Sequence, residues 1–69
     1  MAVAYVNQNR LNTLYKLYQN HYHLKDIPLE EHDKEIAKEL EKEGWIVHAH
    51  DNIYPFTKLG LTIYKEYFP

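Results

Sequence analysis

Five histidines stand in this 69-residue chain, and four of them fall into two pairs of i, i+2 spacing, His21/His23 and His48/His50. On a strand that spacing puts both imidazoles on one face, where they can begin to chelate a metal. On a helix the two members point about 200° apart, so His21 and His23 converge only if the helix has already ended. A mononuclear zinc site needs three or four ligands, and His48, His50 and Asp51 supply only part of such a set. These side chains therefore read as groups facing water or lying beside tyrosines, with no metal ligand assigned and no cofactor expected. His32 is expected to border the core.

Nucleophilic chemistry has little to work with. The chain holds no Cys and no Ser, which leaves Thr13, Thr57 and Thr62. Gly44 and Gly60 are the only glycines, so no glycine-rich loop can cradle a phosphate. Carboxylates crowd residues 30–43, but on an exposed helix they form a solvated face, and a general acid or base needs a cleft to shift its pKa. No catalytic residue is assigned, and the expectation is a protein that is not an enzyme.

Composition narrows the class further. The length allows one small domain. The apolar fraction of 45% and charged fraction of 26% are those of a globular chain. The absence of Cys suits a reducing cytosol, no apolar run approaches the ~20 residues of a membrane span, and residues 1–9 lack the pattern of a signal peptide. A cytoplasmic protein is expected. Charge is uneven: residues 1–25 carry +3, residues 26–51 carry −6 and residues 52–69 carry +1. There is no strongly basic total, although the two ends can present a mildly basic face. Seven Tyr, two Phe and one Trp supply much of the packing surface.

Periodicity places these residues on elements. Residues 1–9 read as an arm. Leu11, Leu14, Tyr15, Tyr18 and Tyr22 form a helical stripe over residues 9–23, widened by Leu17 and Leu24, with Asn9 as N-cap. A second helix spans residues 28–43, with Pro28 in its first turn. Leu29, His32 or Asp33, Ile36, Ala37 and Leu40 share its inner face. Glu30–Lys34 is a favourable i, i+4 pair, and Gly44 is the left-handed stop. Residues 45–50 and 53–56 read as two strands of a hairpin turning at Asp51-Asn52, and residues 24–27 can add a third. Thr57 caps a last helix over residues 58–68, with Leu59 or Gly60, Ile63, Tyr64 and Tyr67 facing inward. Gly60 inside that helix implies a close backbone neighbour.

Two runs carry a family resemblance. Leu40-Glu41-Lys42-Glu43-Gly44-Trp45-Ile46-Val47 resembles the end of a recognition helix entering a wing. Tyr54-Pro55-Phe56-Thr57-Lys58-Leu59-Gly60-Leu61-Thr62-Ile63-Tyr64 resembles the second wing strand and the start of a closing helix. Over about residues 10–68 the chain is similar to small winged helix-turn-helix proteins, of the MarR- and PadR-like kind or of small phage and bacterial families. The resemblance implies an α+β winged-helix domain over residues 10–69, with three helices and a two- or three-stranded antiparallel wing sheet. Two features depart from the pattern. Residues 24–27 alone fill the place of the short middle helix, and the helix at the recognition position is acidic, with seven acids and three Lys between Glu30 and Glu43.

Two functions are carried forward. The first is a transcription regulator binding double-stranded DNA, with Lys34, Lys38 and Lys42 on the second helix, His48, His50 and Asn52 at the wing, and Arg10 and Lys58 on phosphate. The second is a protein-interaction module, of phage or mobile-element origin, using the acidic helix as its docking face and Tyr5, Tyr18, Tyr22 or Tyr54 as anchors. A homodimer suits both, its seam drawn from residues 2–6 with Tyr15, Tyr64, Tyr67 and Phe68.

Overall fold

The computed structural model describes residues 7–69. Three helices follow in order, α1 (Gln8–Tyr22), α2 (Glu31–Lys42) and α3 (Lys58–Tyr67). Each lies where its apolar period puts it, with ends displaced by at most three residues. The cap of α1 is Asn7 rather than Asn9: the Arg10 N–H donates to Asn7 Oδ1 at 2.9 Å. The helix thereby takes residues 8 and 9 from the expected arm, whose first six residues lie outside the described ones. At the other end, the N–H groups of His23 and Lys25 both reach Gln19 O. Leu24 sits there in the left-handed region, φ 54°, where glycine is the usual occupant. It is 87% exposed, because the helix stops before it can join the stripe.

The wing sheet is not formed, and the fold is all-α rather than α+β. No strand occurs among the described residues. Between α2 and α3 the chain makes a hairpin-shaped loop that closes only at two isolated antiparallel bridges, Ile46–Phe56 and His50–Ile53. An antiparallel ladder needs opposite residues to exchange two hydrogen bonds. Around the Ile46–Phe56 bridge two bonds run in opposite directions, Val47 N–H to Pro55 O at 2.9 Å and Thr57 N–H to Trp45 O at 3.0 Å, but the next two, Ala49 N–H to Ile53 O at 3.1 Å and Ile53 N–H to His50 O at 2.8 Å, no longer continue that register. Pro55 has no N–H to return. The pairing also shifts by one residue between the two bridges, around a tip where Asp51 adopts φ 45°. Side-chain alternation is lost with the ladder: Trp45 and Ile46 are both buried, and Val47 is half exposed.

Residues 24–30 add no third strand. The Asn20 side chain takes the place of a pairing backbone instead. Ile27 N–H donates to Asn20 Oδ1 at 2.7 Å, and Asn20 Nδ2 donates to Ile27 O at 3.0 Å. Asn20 is buried, and these two bonds satisfy it. α2 begins three residues after Pro28, behind the Glu30 cap.

The core draws on every segment: Leu14 and Leu17 from α1, Leu29 from the link, Ala37 and Leu40 from α2, Trp45, Ile46, Tyr54 and Phe56 from the loop, Ile63 and Tyr64 from α3. Gly60 meets its expectation of a close neighbour, since a Cβ built there would lie 1.9 Å from Trp45 O. Thr57 locks the same junction. Its Oγ1 accepts the Gly60 N–H at 3.1 Å and lies within donating distance of Gly44 O (2.6 Å) and Trp45 O (3.0 Å). The start of α3 is thus tied to the end of α2. Along the α1–α3 seam, Tyr22, Tyr18, Tyr64 and Phe68 stack in succession at centroid separations of 4.5, 4.0 and 4.6 Å. Phe56 meets Tyr18 and Tyr64 edge-on.

Candidate functional site

α2 has two faces of opposite character. Its inner face carries one charged residue, Asp33, which is 0% exposed. It was one of two candidates for that position, and His32 is the one that faces outward. The Asp33 carboxylate is surrounded by donors. Thr13 Oγ1 donates to Oδ1 at 2.7 Å, Lys16 Nζ to Oδ2 at 2.7 Å, and the Glu30 N–H to Oδ2 at 3.0 Å. The last bond closes the first turn of α2, and the first two fasten it to α1. Burial pushes the Asp33 pKa up, but the bonds from Lys16, Thr13 and Glu30 outweigh it and hold the carboxyl below its usual range. The hydrogen bond to Asp33 raises the Lys16 ammonium in return.

The outer face of α2 separates its charges by ridge. Glu31, Glu35 and Glu39 recur every four residues, with Glu43 at the cap. Lys34, Lys38 and Lys42 recur at the same interval on the neighbouring ridge. The glutamate ridge ends against α1, where Arg10 Nη2 lies 3.0 Å from Glu39 Oε1 and 2.8 Å from Glu43 Oε2. Arg10 Nη1 adds a bond to Glu43 Oε1 at 3.0 Å, and the guanidinium lies 5.6 Å from the centre of the Trp45 ring. Hydrogen bonding to Glu43 raises the Arg10 pKa and lowers that of Glu43. The lysine ridge faces the other way, toward the hairpin loop. Among the described residues, Lys34, Lys38, Lys42 and Lys58 have no carboxylate partner within 4.0 Å. The expected Glu30–Lys34 pair is not made. Glu30 lies 3.9 Å from Lys16 instead.

A groove of about 560 Å³ runs between the lysine ridge and the loop, with Lys34, Lys38, His48 and Asn52 on its walls. Glu41 and Asp51 also line it, and Tyr54 contributes a buried ring. His48 lies flat on Tyr54, centroids 4.4 Å apart and planes 16° apart, and its Nε2 is 3.0 Å from Asp51 O. A carbonyl only accepts, so Nε2 is the donor in this bond. Burial, and then the Glu41 charge, raise the Tyr54 pKa. The groove offers ammonium groups for anionic oxygens, an amide at Asn52 and an oriented imidazole edge.

Of the residues assigned from the sequence to DNA contact, Lys34, Lys38, His48 and Asn52 come together here. Lys42 continues the ridge, and Lys58 opens α3 at the junction beyond it. His50 is exposed outside the groove, with Nδ1 3.7 Å from Asp51 Oδ2. Arg10 stands apart, on the glutamate side. Among the described residues no group of three or more His, Cys, Asp or Glu side chains gathers as a metal site. The residues named for a dimer seam divide: Tyr64 is in the core, Tyr15 is exposed, and Tyr67 and Phe68 are half-buried.

A second cleft, of about 700 Å³, lies between α1, the link and the end of the chain, beside Leu11, Tyr15, Ile27 and Phe68. Lys16 lines it too, but its ammonium is committed to Asp33. Of the structurally decisive polar residues, sequence reasoning misses Asn20 and offers Asp33 only as an alternative to His32. The available signal for Asp33 was an acid in phase with Leu29, Ala37 and Leu40. No helix among the described residues is long and apolar enough to cross a membrane. No family model, curated protein or solved structure matches the chain.

Proposed function

We propose that this protein is a non-enzymatic DNA-binding module that meets double-stranded DNA with the lysine ridge of α2 and the adjoining hairpin loop. The observation that carries this reading is the ridge of ammonium groups at Lys34, Lys38 and Lys42, without carboxylate partners among the described residues, of which Lys34 and Lys38 share a groove with His48 and Asn52. Lys34 and Lys42 are eight residues apart, about 12 Å of helix axis. That is about the width of a B-DNA major groove, so the ridge can reach phosphates on both walls. Lys58 opens α3 next to Thr57, whose hydroxyl bonds Gly44 O just past the end of α2. Asn52 has the donor and acceptor needed to read an adenine edge. The net negative charge of α2 is less adverse than its total suggests, because Glu31, Glu35, Glu39 and Glu43 occupy a separate ridge, two of them held by Arg10, and Glu41 is the one glutamate of the helix that lines the groove.

Binding of this kind depends on phosphate neutralisation. With up to four lysines engaged, log K should fall against log salt with a slope of about −2 to −4. Fluorescence anisotropy with a random-sequence duplex across about 50–200 mM salt measures it. A flat response removes the reading. Glu41 and Asp51 in the same groove favour a second reading, a protein-docking surface for a partner of mixed charge. It predicts no response to duplex DNA at any salt.

A further inference from the structure

Arg10 is the cation that the geometry sets apart from the others. It lies on α1, its side chain is 22% exposed, and all three of its short contacts are to carboxylates. The carboxylates it holds, Glu39 and Glu43, follow directly after Lys38 and Lys42 respectively in the sequence. They also stand at the C-terminal end of α2, where the helix dipole already carries partial negative charge. Left alone, two glutamates there would add to that field on the ridge next to the lysines, and charges on adjacent ridges of one helix lie inside a Debye length of about 10 Å.

We infer that Arg10 acts as an internal counter-charge that cancels Glu39 and Glu43, so that the adjacent lysine ridge can accept an anionic partner, and that it makes no phosphate contact itself. The inference rests on the proposed DNA-binding reading and assigns Arg10 a positioning and electrostatic role within it. Its fork holds Glu43 through both oxygens and Glu39 through one, which keeps both carboxylates turned toward α1. The Trp45 ring beneath the guanidinium fixes the fork in place. A lysine offers a point charge without that geometry.

The test is a double-mutant cycle read by anisotropy with a random-sequence duplex, using the full chain. The four proteins are the native one, Arg10→Gln, Glu39→Gln/Glu43→Gln and the triple variant. Arg10→Gln should weaken binding about three- to tenfold in the native background, by exposing unscreened carboxylates to the ligand. The same change should have no effect where Glu39 and Glu43 are already neutral, and it should leave the salt slope unchanged. Equal losses in both backgrounds, with a slope shallower by about one, would make Arg10 a phosphate contact and overturn the inference. No loss in either background overturns it as well. Binding by none of the four removes the DNA reading and the inference with it, whereas native binding with a failed cycle removes the inference alone. Trp45, the only tryptophan, reports whether each variant folds. Arg10→Met, which keeps the aliphatic stem over that ring, replaces Arg10→Gln in the cycle if the latter does not fold.

Discussion

The two faces of α2 show opposite uses of charge on one helix. Asp33 points inward, is wholly buried and is matched by donors from Thr13, Lys16 and the Glu30 backbone. Lys34, one residue on, points outward into a groove with no partner among the described residues. A buried carboxylate survives only with its lone pairs satisfied, so Asp33 fixes where α2 sits against α1. An exposed lysine costs nothing to leave unpaired, so Lys34, Lys38 and Lys42 remain available to a ligand. The inner face thus governs stability, and the outer face is the one proposed to bind.

That contrast breaks most visibly at Asp33. Asp33→Ala strands Lys16, Thr13 and the Glu30 N–H beside the core, and should cost about 3–5 kcal/mol in urea unfolding. In a domain this small that is enough to unfold much of the population. Asp33 and Glu43 also set the acid limb. Both have folded pKa values below their unfolded ones, so the unfolded state binds more protons as pH falls. Their contribution is complete above the ordinary carboxylate range and is lost as pH drops through and below it. Asp33→Asn should flatten the stability profile below about pH 5, as followed by helical circular dichroism.

Asn20→Ala comes next. It orphans the Ile27 N–H and C=O, which among the described residues bond only to that amide, and should cost about 1–3 kcal/mol in stability. It tests whether the link is positioned by one side chain. Lys38→Gln sharpens the contrast from the other side. Its stability should change by under about 0.5 kcal/mol, while duplex affinity at about 50 mM salt should fall about fivefold, with the salt slope shallower by about one. A change in stability comparable to that of Asn20→Ala would erase the division between the faces. The smallest effect is expected at Leu24, exposed and left-handed at the end of α1. Leu24→Gly relieves the φ strain and should raise stability by about 0.5–1 kcal/mol, read as a shift in urea midpoint.

What the sequence makes legible follows from local physics. The stripes that define α1, α2 and α3 are local periodicities, Thr57 is a local cap, and Gly60 is conspicuous because a helix interior disfavours glycine. The wing was misread for a reason equally local. The runs 45–50 and 53–56 have the residue types of strands, but Pro55 removes one donor and the tip shifts the register, so the pairing stops at two isolated bridges and no ladder forms. The Asn20–Ile27 clamp and the Thr13 and Lys16 bonds to Asp33 join residues 7 to 20 positions apart, and no spacing rule announces them. The groove lay between these extremes. Lys34, Lys38 and Lys42 were named, but the net charge of α2 hid their separation from the glutamates. The two four-residue repeats were present in the sequence to be seen.

The central claim is that the outer face of α2 binds DNA while the inner face only holds the fold. Its most direct test is an amide NMR titration of the native chain with a short random duplex, at about 50 mM and about 200 mM salt. The account predicts shifts at residues 34, 38, 42, 48, 52 and 58 at low salt that recover at high salt, with Thr13, Lys16 and Asp33 unmoved. A spectrum unchanged at both salts, or shifts centred on the Asp33 node, would contradict it.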